Sequence, residues 1–235
     1  ASAYSYLFSG NAPSATARNV GEGQWVESHN SALIIDGKDN AEIYHKSKLV
    51  VGVEMTPYPA FFCKIDNLLG GVMGRCIGQE KVSLLHCVAS DSTGHITKSV
   101  PLGCAICYES VYPEHCAEYA RAGAEALVVI TNDAWWGDTP GYRQHLRYSS
   151  LRAIETRRDI ARSANTGISA FINQRGDIVS HTAWWEPAVL TGSVNLNDSE
   201  TFFVRQGDII GRMCAFFSIL LLLGVVVRAR ITRQE

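Results

Sequence analysis

Residues 101–131 read PLGCAICYESVYPEHCAEYARAGAEALVVIT, and the order of patterns within them decides the fold. Residues 102–107 are apolar and suit a buried strand. Residues 112–122 repeat their apolar positions with helical spacing and keep their charges on one side. Residues 126–131 (ALVVIT) read as an inner strand of a sheet covered by helices.

Working outward, the alternation continues. Downstream, residues 142–163 predict a long amphipathic helix, with Leu146, Leu151, Ile154 and Ile160 set among Arg and Glu. Strands follow at 168–172 and 178–181 around a turn at 174–177, and 189–194 is expected to close the set. Upstream, 82–88 suits another buried strand. Residues 51–79 hold Gly, Pro and Phe without a sustained period and predict a long functional loop. Residues 31–37 (SALIIDG) end in Asp-Gly and 41–45 resume with Ile43 and Tyr44, which predicts a hairpin. Residues 11–23 are rich in Ser, Ala, Gly and Asn and predict a loop. Ala1 to Phe8 reads like the end of a strand without initiator Met, signal peptide or cap, so a piece with a missing start is expected. Alternating strands and helices argue an α/β layered fold.

The chain has 235 residues, 46% of them hydrophobic, enough to bury a full core. Its 21 basic and 23 acidic residues are not gathered into blocks, which argues against a nucleic-acid surface. Seven cysteines make an odd, scattered set, so no disulfide framework is expected, although one pair among Cys63, Cys76 and Cys87 can form in an oxidising compartment. The last segment differs in kind. Residues 213–227 (MCAFFSILLLLGVVV) carry no charge and cover about 22 Å as helix against a hydrocarbon core of about 30 Å. Ile209 and Ile210 extend the apolar run, Arg212 and Arg228 can snorkel, and a spanning helix is expected. Arg228, Arg230 and Arg233 against Arg212 place the tail in the cytoplasm and the rest in the periplasm.

Four features carry chemistry. In PLGCAICYE an apolar strand delivers Cys107 to its end just before a turn, a place that suits a nucleophile with an oxyanion site. Cys107 can equally be a small hydrophobe, and with Cys104 it forms a Cys-x-x-Cys, although thioredoxin-like pairs sit at helix N-termini and zinc needs a second ligand pair. In YHKSKLVVGVE (44–54) a lysine brought beside a cysteine would favour its thiolate; Lys46 and Lys48 share one strand face, so parity does not choose between them. Glu54 closes that segment. In TNDAWWG (131–137) a strand ends in Asn-Asp before two tryptophans, which fits either a site at a sheet edge or an anchor.

In order, Tyr44-x-Lys46-x-x-Leu49-Val50, ICYE (106–109), NDAWWG (132–137), RAIETRR (152–158) and NTG (165–167) resemble the nitrilase-like domain of apolipoprotein N-acyltransferases. The resemblance implies an αββα sandwich over 1–207 lacking its first strand and helix. It also implies a transmembrane helix with a basic tail over 208–235, in the inner membrane within a multi-pass parent. The implied activity moves a fatty acyl group from a phospholipid to the N-terminal amine of a diacylglyceryl-cysteine on an apolipoprotein. Cys107 would form a thioester, Lys46 would match the catalytic lysine, and Tyr108 N–H with Lys46 would hold the oxyanion. Glu54, Tyr108 and Glu109 match supporting positions, and Trp135 matches a tryptophan of the substrate pocket. No metal or cofactor is implied. The general-base glutamate of such enzymes would precede Ala1, so these residues alone are expected to be inactive, and Val51-Gly52-Val53 departs from the usual Pro-Phe-Gly. A soluble amidase and a catalytically dead membrane-anchored binding module are the rival readings.

Overall fold

A computed structural model describes residues 2–35, 41–68, 74–90 and 96–232. The chain opens with β1 (Ser2–Ser9), β2 (Arg18–Gly21), β3 (Gln24–Ile35) and β4 (Ala41–His45). The long β3 takes β1 along one edge and β2 then β4 along the other, all antiparallel. The hairpin expected from residues 31–45 is present, with its turn at 36–40 outside the described residues. Residues 18–21, expected to be loop, instead add a short strand, because Asn19 pairs with Trp25 across a turn that holds three residues, Gly21 to Gly23, at positive φ.

The stretch expected to be a long loop contains a helix, α1 (Pro59–Leu68). Proline at its first position is compatible with helix, and Phe61, Phe62, Ile65 and Leu68 recur at helical spacing. Pro57 before it and Gly70 and Gly71 after it hide that period from a wider window.

The second sheet is six-stranded, made of β5 (Leu85–Ser90), β6 (Ile96–Ile106), β7 (Ala126–Asn132), β8 (Ile160–Asn165), β9 (Ala170–Ile172) and β10 (Ile178–His181) in the order β10-β9-β8-β7-β6-β5. Its centre, β6, β7 and β8, is parallel and its flanks are antiparallel. Helix α2 (Pro113–Arg121) joins β6 to β7, and α3 (Gly141–Thr156) joins β7 to β8. Alternate residues of the central strands, such as Leu127 and Val129, are buried as the apolar run requires. Gly103 of β6 marks where α2 approaches most closely: a Cβ there would lie 2.7 Å from both Tyr119 and Leu127.

Two boundaries differ from the sequence pattern. Helix α3 stops at Thr156 rather than running to 163, because Arg157 is left-handed and Arg158 and Asp159 turn inward. The buried Arg158 guanidinium donates to the carbonyls of Ala124 and Ser199, and Asp159 accepts from Asn195 N–H at 2.6 Å. Residues 189–194 form no strand; they cross the sheet face, with Leu190 beside Val128 and Phe171.

Helix α4 (Phe202–Gln206) sets Val204 against Ala117 and Ala120 of α2. Helix α5 (Ile209–Thr232) follows, and over Ile209–Ile231 it is long and apolar enough to cross a membrane, with none of its most apolar window buried. At 1.5 Å per residue its 24 residues span about 36 Å, more than the charge-free core alone would suggest.

Candidate active site

The parallel strands bring their C-terminal ends to one edge of the sheet, and Cys107 sits there as the first residue after β6. It opens a 3-10 turn, Cys107–Val111, with φ +55, a left-handed conformation that L side chains avoid. The thiol residue is half-buried. Glu109 builds this turn. One carboxylate oxygen accepts Ile106 N–H at 2.8 Å. The other accepts Tyr44 Oη at 2.7 Å, Ser47 N–H at 2.7 Å and Lys48 N–H at 3.0 Å. A single buried carboxylate thus ties the loop after β4 to the turn that carries Cys107.

Burial works to raise the Glu109 carboxyl, but His115 at 3.3 Å and the backbone donors outweigh it and hold it below the usual carboxylate range. Burial, then the Glu109 charge, pushes the Tyr44 hydroxyl up, so it stays a donor.

The loop anchored in this way holds Lys46. Its side chain is fully buried, and Nζ donates to both oxygens of Glu54 at 2.8 and 2.7 Å. Glu54 is held in turn by Asn30 Nδ2 at 2.7 Å and Val50 N–H at 2.8 Å. Lys48 is exposed, so the structure separates two lysines that strand parity left equivalent. Tyr108 is half-buried, with its ring edge-on to Tyr112. Trp135 is 75% exposed on the turn Asp133–Trp136, and its neighbour Trp136 lies 6.4 Å from the His145 ring.

Cys104 is buried within β6, and burial followed by the Glu109 charge pushes its thiol up to about 12, which suits a core residue rather than a redox partner. The seven cysteines are free, including Cys63, Cys76 and Cys87. Among the described residues no group of three or more His, Cys, Asp or Glu could hold a metal ion.

One polar group was not singled out from the sequence. Asp133, His145 and Arg162 are buried together behind Cys107. His145 Nδ1 lies 2.8 Å from Asp133 Oδ1, Arg162 donates to Asp133 Oδ2 at 2.7 Å, and His145 Nε2 lies 3.1 Å from the Cys107 carbonyl oxygen. Burial would raise the Asp133 carboxyl, but His145, Arg162 and Thr131 overcome it and hold it below the ordinary value. The available signal was weak: Asn132-Asp133 at a strand end, and a histidine sharing a helix face with Tyr142, Leu146 and Ser149. Gly167 of NTG fits the same cluster, because a Cβ there would lie 2.2 Å from Asp133 Oδ2.

A carbon–nitrogen hydrolase family profile matches residues 8–202. The chain is 33% identical over 203 residues to an apolipoprotein N-acyltransferase of Chlorobaculum tepidum, covering 85% of this chain and 37% of that protein. It is 30% identical over 201 residues to the one of Thermotoga maritima, covering 86% and 37%. The chain therefore spans a little over a third of the length of these curated relatives. Among solved structures, a carbon–nitrogen hydrolase from Helicobacter pylori G27 aligns with TM-score 0.51 at 14% identity, over 86% of this chain and 64% of that one. At that identity the likeness speaks for the fold alone.

Proposed function

The chain belongs to the carbon–nitrogen hydrolase family, and from that premise we propose that it is the catalytic part of an acyltransferase of lipoprotein maturation. The observation that carries the reading is the Glu109 clamp: it joins a strained cysteine turn to the loop bearing a buried Lys46–Glu54 pair.

In the first step the Cys107 sulfur attacks an ester carbonyl of a phospholipid; a C–S bond forms, the C–O bond to glycerol breaks, and the lysophospholipid leaves as the protonated alcohol. In the second, the N-terminal amine of a diacylglyceryl-cysteine attacks the thioester; a C–N bond forms, the C–S bond breaks, and the amine gives up a proton. Tyr108 N–H and the Lys46 ammonium stabilise the oxyanion of both steps. Glu54 aligns Lys46. Neither Glu54 nor Glu109 serves as the proton acceptor, because both are committed, the first to a cation and two N–H donors and the second to four donors.

The membrane setting supports the lipid substrates. Each methylene of an acyl tail costs about 0.8 kcal/mol to expose, so a site for lipids gains by opening at the bilayer. Tyr58, Phe61 and Leu68, on and just before α1, are exposed, Leu68 at 87%, and with the half-buried Phe62 they supply an apolar rim. Helix α5, wholly unburied in its apolar part, favours this reading over a soluble amidase. Arg228 and Arg230 at the C-terminal end of α5, followed by Arg233, outnumber Arg212 at its start and argue for a cytoplasmic tail and a periplasmic site in a multi-pass inner-membrane parent.

Intact mass spectrometry of the full-length protein incubated with phospholipid tests the reading. An acyl adduct on Cys107 that is discharged by a diacylglyceryl-cysteine peptide is expected. Full transfer activity in C107A would refute it, and a C107A protein that still binds both lipids without reacting is the control for folding.

A further inference from the structure

The buried group behind Cys107 has no part in the two chemical steps above, yet three separate elements deliver it to one backbone carbonyl. Asp133 follows β7, His145 lies on α3 and Arg162 on β8. Arg162 is itself braced by Ser149 Oγ at 3.2 Å and by the Ile168 carbonyl at 3.3 Å. The carbonyl they reach belongs to the residue whose φ is +55.

A left-handed non-glycine residue costs about 1–2 kcal/mol and persists only where its surroundings over-determine it. Here the Cys107 carbonyl is gripped twice, by Ser110 Oγ at 2.9 Å and by His145 Nε2 at 3.1 Å. The imidazole is held from both sides: Nδ1 faces Asp133 Oδ1, and Nε2 faces the Cys107 carbonyl and Ser110 Oγ, the latter at 3.1 Å. That fixes the ring's orientation, because a flipped ring would present carbon to both oxygens.

We propose that His145, aligned by Asp133 and Arg162, is a positioning residue that holds the Cys107 turn and thereby sets the direction in which the thiol is presented. The inference deepens the function proposed above and rests on Cys107 as the reacting group. Its test uses thiol reactivity, which acyl transfer does not enter.

The full chain in detergent micelles is treated with iodoacetamide, and labelling of each cysteine is followed by peptide mass spectrometry. Exposed Cys87 serves as the rate reference, and buried Cys104 and Cys116 report unfolding. H145N keeps an N–H for Asp133 but is too short for the Cys107 carbonyl, whereas H145Q reaches the carbonyl. Loss of that one hydrogen bond is expected to slow Cys107 labelling in H145N by about tenfold, with H145Q recovering most of the rate. Cys104 and Cys116 should remain unlabelled in both variants. Cys107 labelling at the unaltered rate in a folded H145N overturns the proposal. So does an equal loss in both variants with Cys104 and Cys116 opened, which would make His145 a stability residue. A slowed H145N in a protein that never acylates Cys107 would leave the positioning intact and remove the proposed function.

Discussion

Replacing Glu109 by glutamine tests the clamp with a change of one heavy atom. The carboxylate accepts four donors, three at one oxygen and Ile106 N–H at the other, all from buried or half-buried groups. A glutamine best keeps its oxygen toward the three and turns its amide nitrogen toward Ile106 N–H, which then faces another donor. One buried backbone N–H without an acceptor costs about 1–3 kcal/mol, and the remaining three bonds lose part of their charge assistance. E109Q should therefore be destabilised by about 2–4 kcal/mol, or roughly 4–16 °C in Tm for a domain of this size. E109A strands all four donors and should not accumulate folded protein. Thermal unfolding of the full chain in detergent, followed by tryptophan fluorescence, measures this, with E118Q on the exposed face of α2 as the neutral control. An E109Q protein that melts with E118Q would refute the claim that this carboxylate organises the turn.

Acid sensitivity follows from the same groups. Glu109 and Asp133 are both held below their ordinary values of 4.5 and 3.8, so their stabilisation is complete above those values and disappears as pH falls through the lower folded ones. Tm should therefore fall once the pH drops below about 4, and D133N should flatten that fall in a pH series of melting curves. K46M leaves Glu54 without its cation and should cost about 3–5 kcal/mol, much of it returned in K46M/E54Q; additive losses in that cycle would disprove the coupling. G167A forces a methyl against Asp133 and should cost about 1–3 kcal/mol in chemical denaturation. Leu221→Lys in the middle of α5 should lower membrane insertion by about 2.5–3.5 kcal/mol, read as the fraction of chain released by alkaline carbonate.

How far the fold was legible depended on whether a segment's pattern was local. Apolar runs such as 126–131 gave strands within a residue of their true ends, because burial on both faces leaves an unbroken signal. The end of α3 was not legible. Arg157 to Asp159 look like the polar face of a continuing helix, and only the distant carbonyls of Ala124 and Ser199 explain why Arg158 turns inward. The 189–194 segment carries strand-like composition, yet its neighbours Asn195 and Asn197 bond to Asp159 and Glu125 rather than to a strand edge. In the site, ICYE pointed to its place through the strand that precedes it. Residues 46 and 48 could not be separated by spacing, since the difference is an ion pair eight residues away. The His145 group was invisible because its three members come from three elements.

Three carboxylates surround the cysteine turn, and their environments divide the labour. Glu109 meets mainly uncharged donors and acts as a clamp. Glu54 faces an ammonium and acts as its aligner. Asp133 faces a guanidinium and an imidazole whose other nitrogen reaches the Cys107 carbonyl. Glu109 and Asp133 are stabilised as anions by bonds that proton uptake would break, and Glu54 is occupied by the Lys46 ammonium and two N–H donors, which is the opposite of what a general base requires. The acyl transfer proposed above therefore calls for a base other than these three, a carboxylate with fewer partners. Removing that base should lower the acylation rate of Cys107 without altering the Tm effect of E109Q, because the clamp and the base act on different atoms.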